Sequence, residues 1–146
     1  MFQRLLPAFV LFLGVQAALG QSPSNQPAAA PAKFELLPIE RQIVELTNAE
    51  RAKAGLPAYA VDPELMRSAR AHCTWMAQNQ RLQHTTANVA ENIAMGQPDA
   101  AGAIQSWLNS PMHRANMLNA QYKRMGAAAY RTGQGGQVFW CQQFLW

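Results

Sequence analysis

The chain has 146 residues, 49% hydrophobic and 14% charged, with a formal net charge of +4. That balance excludes a disordered or coiled-coil chain and predicts a packed globule of one domain. The basic residues are scattered, with no run longer than Lys123-Arg124 and no interleaved aromatics, so no nucleic-acid partner is expected.

Residues 1–20 read as a secretory signal peptide. Arg4 supplies a positive start, Leu5 to Leu19 an apolar run, and Ala18-Leu19-Gly20 the small residues of a cleavage site. The run is about 15 residues long and contains Gln16, short of the roughly 20 apolar residues that span a bilayer. No transmembrane span is therefore expected after cleavage. Residues 21–33 place Pro23, Pro27 and Pro31 among Ser, Asn, Gln and Ala. Such a segment cannot bury enough surface to offset its ordering entropy and reads as a linker. The folded domain is expected over residues 34–146, in a monomer that is secreted or sits in the periplasm or cell envelope.

The apolar positions Ile39, Ile43, Leu46 and Ala54 recur at helical spacing from Pro38, and Gly55-Leu56-Pro57 ends that first helix. Asp62-Pro63-Glu64 opens a second helix with a capping carboxylate and a proline at the first helical position, its inner face being Leu65, Ala69, Cys73 and Met76. Asp99 caps a third, with Ala103, Ile104, Trp107 and Leu108 turned inward. Ser110-Pro111 starts a short fourth that reaches about Leu118. After Tyr122 the pattern becomes strand-like, over Met125 to Arg131 and Val138 to Trp146, and Gly133-Gln134-Gly135-Gly136 supplies a hairpin turn. Helices first and a hairpin last predict an α+β domain with helices packed on a sheet. The continuous apolar run Val138-Phe139-Trp140-Cys141 predicts a strand covered on both faces.

The chain has two cysteines, Cys73 and Cys141. An even count in an exported protein favours a disulfide, the alternative being two buried thiols that pack as small hydrophobes. A bridge would pin the second helix to the last strand and, in the chain-entropy model, add roughly 4 kcal/mol.

Three histidines are present. His84 follows the second helix in a polar stretch, and Glu91 lies between apolar neighbours where an unpartnered carboxylate would be costly. His113 stands in the first turn of the fourth helix, where the helix dipole disfavours a positive charge and keeps the imidazole in the form that ligates metals or accepts protons. His72, beside Cys73, reads as structural. Two histidines and one carboxylate make a possible divalent-metal site, although their spacing is no closed zinc signature.

Three blocks together carry a resemblance: Asn48-Ala49-Glu50-Arg51 with Gly55-Leu56, then His84-Thr85 with Glu91-Asn92-Ile93-Ala94, then Trp107 with Ser110 to Leu118. In order and spacing they resemble the CAP superfamily of cysteine-rich secretory, antigen 5 and pathogenesis-related 1 proteins, and within it the bacterial, single-domain SCP-like type. The resemblance runs from about Ile39 to Trp146. It implies a three-layer α-β-α sandwich, an antiparallel sheet flanked by helices, with a shallow cavity lined by two histidines and two acids that in some members holds a divalent cation such as zinc. His84, Glu91 and His113 match three of those four positions. The second acid has no counterpart, since Asn109 and Ser110 follow Trp107.

Beside a structural role, in which residues 21–33 tether a stable domain to an envelope assembly, two functions compete. One is an extracellular or envelope binding module for a lipid, a peptide or a wall component, its His84/Glu91/His113 cavity holding a divalent cation, zinc first, on His84 and His113. The other is a metal-assisted hydrolase with Glu91 as general base and the same three residues catalytic. The second is short of ligands, because a catalytic zinc usually has three from the protein.

Overall fold

A computed structural model describes residues 34–133 and 136–146; the expected leader and linker, and Gln134 and Gly135 of the expected hairpin turn, lie outside the described residues. Four helices, α1 (Pro38–Lys53), α2 (Pro63–Gln78), α3 (Ala100–Leu108) and α4 (Pro111–Met117), combine with four strands, β1 (Ala60–Val61), β2 (Ala90–Met95), β3 (Arg124–Arg131) and β4 (Val138–Leu145). The caps act as their residue types predict. Asp62 accepts from the amides of Glu64 and Leu65, and Asp99 accepts from Gly102. Pro111 opens α4 behind Ser110, although the Ser110 side chain makes no capping bond.

The sheet order is β1-β3-β4-β2. β3, β4 and β2 are antiparallel, and the short β1 adds a parallel edge beside β3, which makes the sheet mixed. The segment around Glu91, to which the sequence pattern assigns no helix or strand, is the edge strand β2.

β4 is buried on both faces, as its apolar run predicts. Alternation along it divides the core in two. Trp140 and Phe144 pack with Ile43 and Val44 of α1, Ile104 and Trp107 of α3 and Met117 of α4, whereas Phe139 and Cys141 pack with Ala69, Cys73 and Met76 of α2. The result is a three-layer sandwich, with α2 on one side of the sheet and α1, α3 and α4 on the other. Gly126 of β3 lets α2 approach closely, because a Cβ there would collide with the Leu65 backbone. The Arg70 guanidinium of α2 grips the buried Glu40 carboxylate at the start of α1 through two bonds of 2.6 Å.

Cys73 and Cys141 face the same cluster, but both are free thiols, so the expected disulfide is not formed. The parity of cysteines predicted a bridge; the sulfurs instead spend their hydrogens on separate acceptors. Cys73 Sγ donates to the Ala128 and Phe139 carbonyls at 3.4 and 3.6 Å, and Cys141 Sγ to Glu91 Oε2 at 3.6 Å. Burial, with Cys73 and Glu91 adding to it, pushes the Cys141 thiol well above its ordinary value. Both behave as small buried hydrophobes.

Candidate functional site

Two neighbouring residues of the edge strand organise the site. Successive side chains of a strand point to opposite faces, and here Glu91 points toward the α2 layer and Asn92 toward the layer of α1, α3 and α4. Glu91 Oε1 accepts from His84 Nδ1 at 2.8 Å and from the Thr85 amide at 2.9 Å. Its Oε2 accepts from Gln143 Nε2 at 3.0 Å and from Cys141 Sγ at 3.6 Å. Those four donors fill the capacity of a carboxylate. The acid that would be costly to bury alone is thus fully satisfied.

On the opposite face Asn92 Nδ2 donates to the His113 carbonyl at 3.0 Å and to Gln142 Oε1 at 3.2 Å, and Asn92 Oδ1 accepts from Asn116 Nδ2 at 3.0 Å. Gln142 continues the network to Thr47 of α1. Glu91 therefore fixes the histidine that follows α2, and Asn92 fixes the backbone of the histidine on α4. The outer edge of β2 is closed by the same helices: Asn116 Nδ2 caps the Glu91 carbonyl and Trp107 Nε1 the Ile93 carbonyl. That protects it from strand addition.

The two imidazoles lie close enough for the charge of one to act on the other. His113 is held below its usual value, chiefly by burial and secondarily by the positive charge that His84 can carry. A carboxylate partner only accepts, so the His84 proton sits on Nδ1 and, in the neutral ring, Nε2 keeps its lone pair. His84 is 59% exposed, which leaves that nitrogen open to solvent, while Glu91 is only 3% exposed. This carboxylate–histidine arrangement resembles those that orient metal ligands. Among the described residues no group of three or more His, Cys, Asp and Glu converges as a metal centre. Imidazole nitrogens such as His84 Nε2 and those of His113 are donors of the kind that zinc and similar divalent cations take.

His72, expected to be structural, is closer to this chemistry than its sequence neighbours suggest. Its Nε2 donates to the Gln83 carbonyl at 2.8 Å and lies 3.6 Å from Glu91 Oε2. Gln143 is the other residue sequence reasoning missed. The available signal was the pair Gln142-Gln143 inside an otherwise apolar strand, one amide for each face of a buried sheet.

Trp107 and Trp140 are core, Asn116 braces neighbouring segments, and Trp146 is exposed beside Tyr122. Arg51 is fully buried over the Tyr59 ring and donates to the carbonyls of Pro57, Met117 and Asn119, which anchors the end of α4.

The family model for CAP, the Cysteine-rich secretory protein family, matches residues 44–144, and the chain belongs to that family. It is 31% identical over 139 residues to YkwD of Bacillus subtilis (strain 168), which covers 84% of this chain and 52% of the relative. An extracellular SCP-domain protein of Bacillus anthracis str. Ames shares 28% identity at a TM-score of 0.65, over 77% of this chain and 45% of that one. The chain thus spans about half the length of these relatives. NaASP2, solved with Zn2+, shows the same fold at 14% identity and a TM-score of 0.58, over 73% of this chain and 78% of that one. The family and its extracellular relatives define a secreted or envelope-associated protein. Among the described residues no helix is long and apolar enough to cross a membrane.

Proposed function

We propose that the chain is a secreted or envelope recognition module for a lipid, a peptide or a wall component, in which His84 and His113 hold a divalent cation, zinc first, and Glu91 orients His84. The observation that carries this reading is the 2.8 Å bond from His84 Nδ1 to Glu91 Oε1, which leaves Nε2 as the open nitrogen. The neutral bias of His113 and the zinc present with the distantly related NaASP2 fold support it. A cation there would offer a solvent-facing coordination position to an oxygen donor of the ligand.

The same geometry argues against a metal-assisted hydrolase. A general base needs a lone pair directed at water, and the four donors on Glu91 occupy both of its oxygens inside the protein. Calorimetric titration with zinc tests the reading. Saturable binding is expected in the wild-type protein and its loss in His84→Ala and in His113→Ala; binding undiminished in either variant contradicts it.

A further inference from the structure

We propose that the cleft beside His84 is a subsite for a neutral pyranose saccharide, with the Trp75 indole as its stacking platform. The inference narrows the ligand class of the recognition reading above and rests on that reading, but not on the cation.

The cleft, about 300 Å³, is lined by His72, Trp75, Gln83, His84, Thr85 and Thr86. Trp75 is 40% exposed on α2, an unusual position for the largest apolar side chain. Its ring is held parallel to the His72 imidazole, 6° between planes and 5.9 Å between centroids. His72 is in turn fixed by the Gln83 carbonyl. The platform is therefore preorganised, which lowers the ordering cost of binding.

The rim is chemically specific. Among the described residues no Lys, Arg, Asp or Glu lines the cleft, so fixed charge on those side chains selects neither an anion nor a cation. Gln83 Oε1 is buried and meets no donor among the described residues. Buried acceptors are almost always satisfied, and one left without a donor beside a cleft calls for a partner. A swing of the Gln83 amide toward the cleft would meet an O–H or N–H brought by a ligand. The Thr85 and Thr86 hydroxyls add short polar contacts. One flat apolar face with a ring of neutral hydrogen-bonding groups matches a pyranose, which presents a C–H face and a rim of hydroxyls. An acyl chain would leave those polar groups without partners.

The test is titration of the purified protein with triacetylchitotriose, followed by tryptophan fluorescence and by amide NMR shifts. Saturable binding that moves the signals of Trp75, Gln83, Thr85 and Thr86 is expected, weakened roughly tenfold or more in Trp75→Ala. Trp75→Phe should retain part of it, and a chelator should leave it unchanged. Thermal melts establish that the variants fold, as the exposure of Trp75 predicts. No saturation at the solubility limit of the sugar, or equal affinity in Trp75→Ala, overturns the proposal. Binding of a neutral peptide in place of the sugar overturns it as well. Zinc binding without sugar binding refutes the saccharide and leaves the cation reading standing; sugar binding without zinc binding does the reverse.

Discussion

Glu91 and Asn92, adjacent on the edge strand, point to opposite faces of the sheet, and each secures a histidine from a different helical layer: His84 through its ring, His113 through its carbonyl. The spacing of the two imidazoles is thereby tied to the pleat of one strand.

Glu91→Gln retains one acceptor oxygen but turns an amide donor toward groups that are themselves donors. Zinc affinity should fall about 10- to 100-fold, the usual effect of losing a partner that orients a ligand. Stability should drop by about 1–3 kcal/mol for the donors left without an acceptor. Calorimetry and denaturant melts read the two effects separately, and an unchanged zinc affinity would remove Glu91 from the site.

Because His113 is held below 6.5 in the fold, the unfolded chain takes up its proton more readily. Its contribution to stability is complete above the unfolded value and is lost as pH falls through the lower folded value. An NMR titration should place its midpoint under 6.5. His84→Gln should raise that midpoint only in part, since burial, the larger cause, remains. A midpoint above 6.5 in the wild type contradicts the arrangement.

Asn92→Ala should destabilise by about 2 kcal/mol, because it leaves Gln142 Oε1 without its donor and takes one bond each from the His113 carbonyl and Asn116 Nδ2. The same variant should weaken zinc binding although Asn92 is no ligand, by releasing α4 from β2. Melts and calorimetry on one preparation check both.

With both cysteines free and buried, the melting temperature should be the same with and without reductant. Thiol reagents should label Cys73 and Cys141 only after unfolding. A reductant-dependent melting temperature would count against the free-thiol assignment.

The helices were legible because their start signals are local: Asp62-Pro63, Asp99 and Pro111 each mark a first turn without reference to the rest of the chain. β2 was not. Ala90-Glu91-Asn92-Ile93-Ala94-Met95 lacks apolar alternation, since its polar residues are satisfied by Gln143, Gln142 and Asn116 from distant segments. β1 is too short to carry a pattern. The site was half legible. His84, Glu91 and His113 could be singled out by residue type and motif, but the role of Glu91 depends on four donors that only the fold brings together. His72 reads as structural from its place beside Cys73 in α2, and only the fold brings its Nε2 within 3.6 Å of Glu91 Oε2. The disulfide failed for a related reason, because an even number of cysteines carries no information about where each sulfur points.

The most direct measurement is a long-range 1H–15N spectrum of the histidine rings at neutral pH, recorded before and after adding zinc. The expected result is a His84 proton on Nδ1 and a zinc-induced shift of His84 Nε2 together with a ring nitrogen of His113. A proton on Nε2 of His84, or zinc that leaves both rings unmoved, would contradict it.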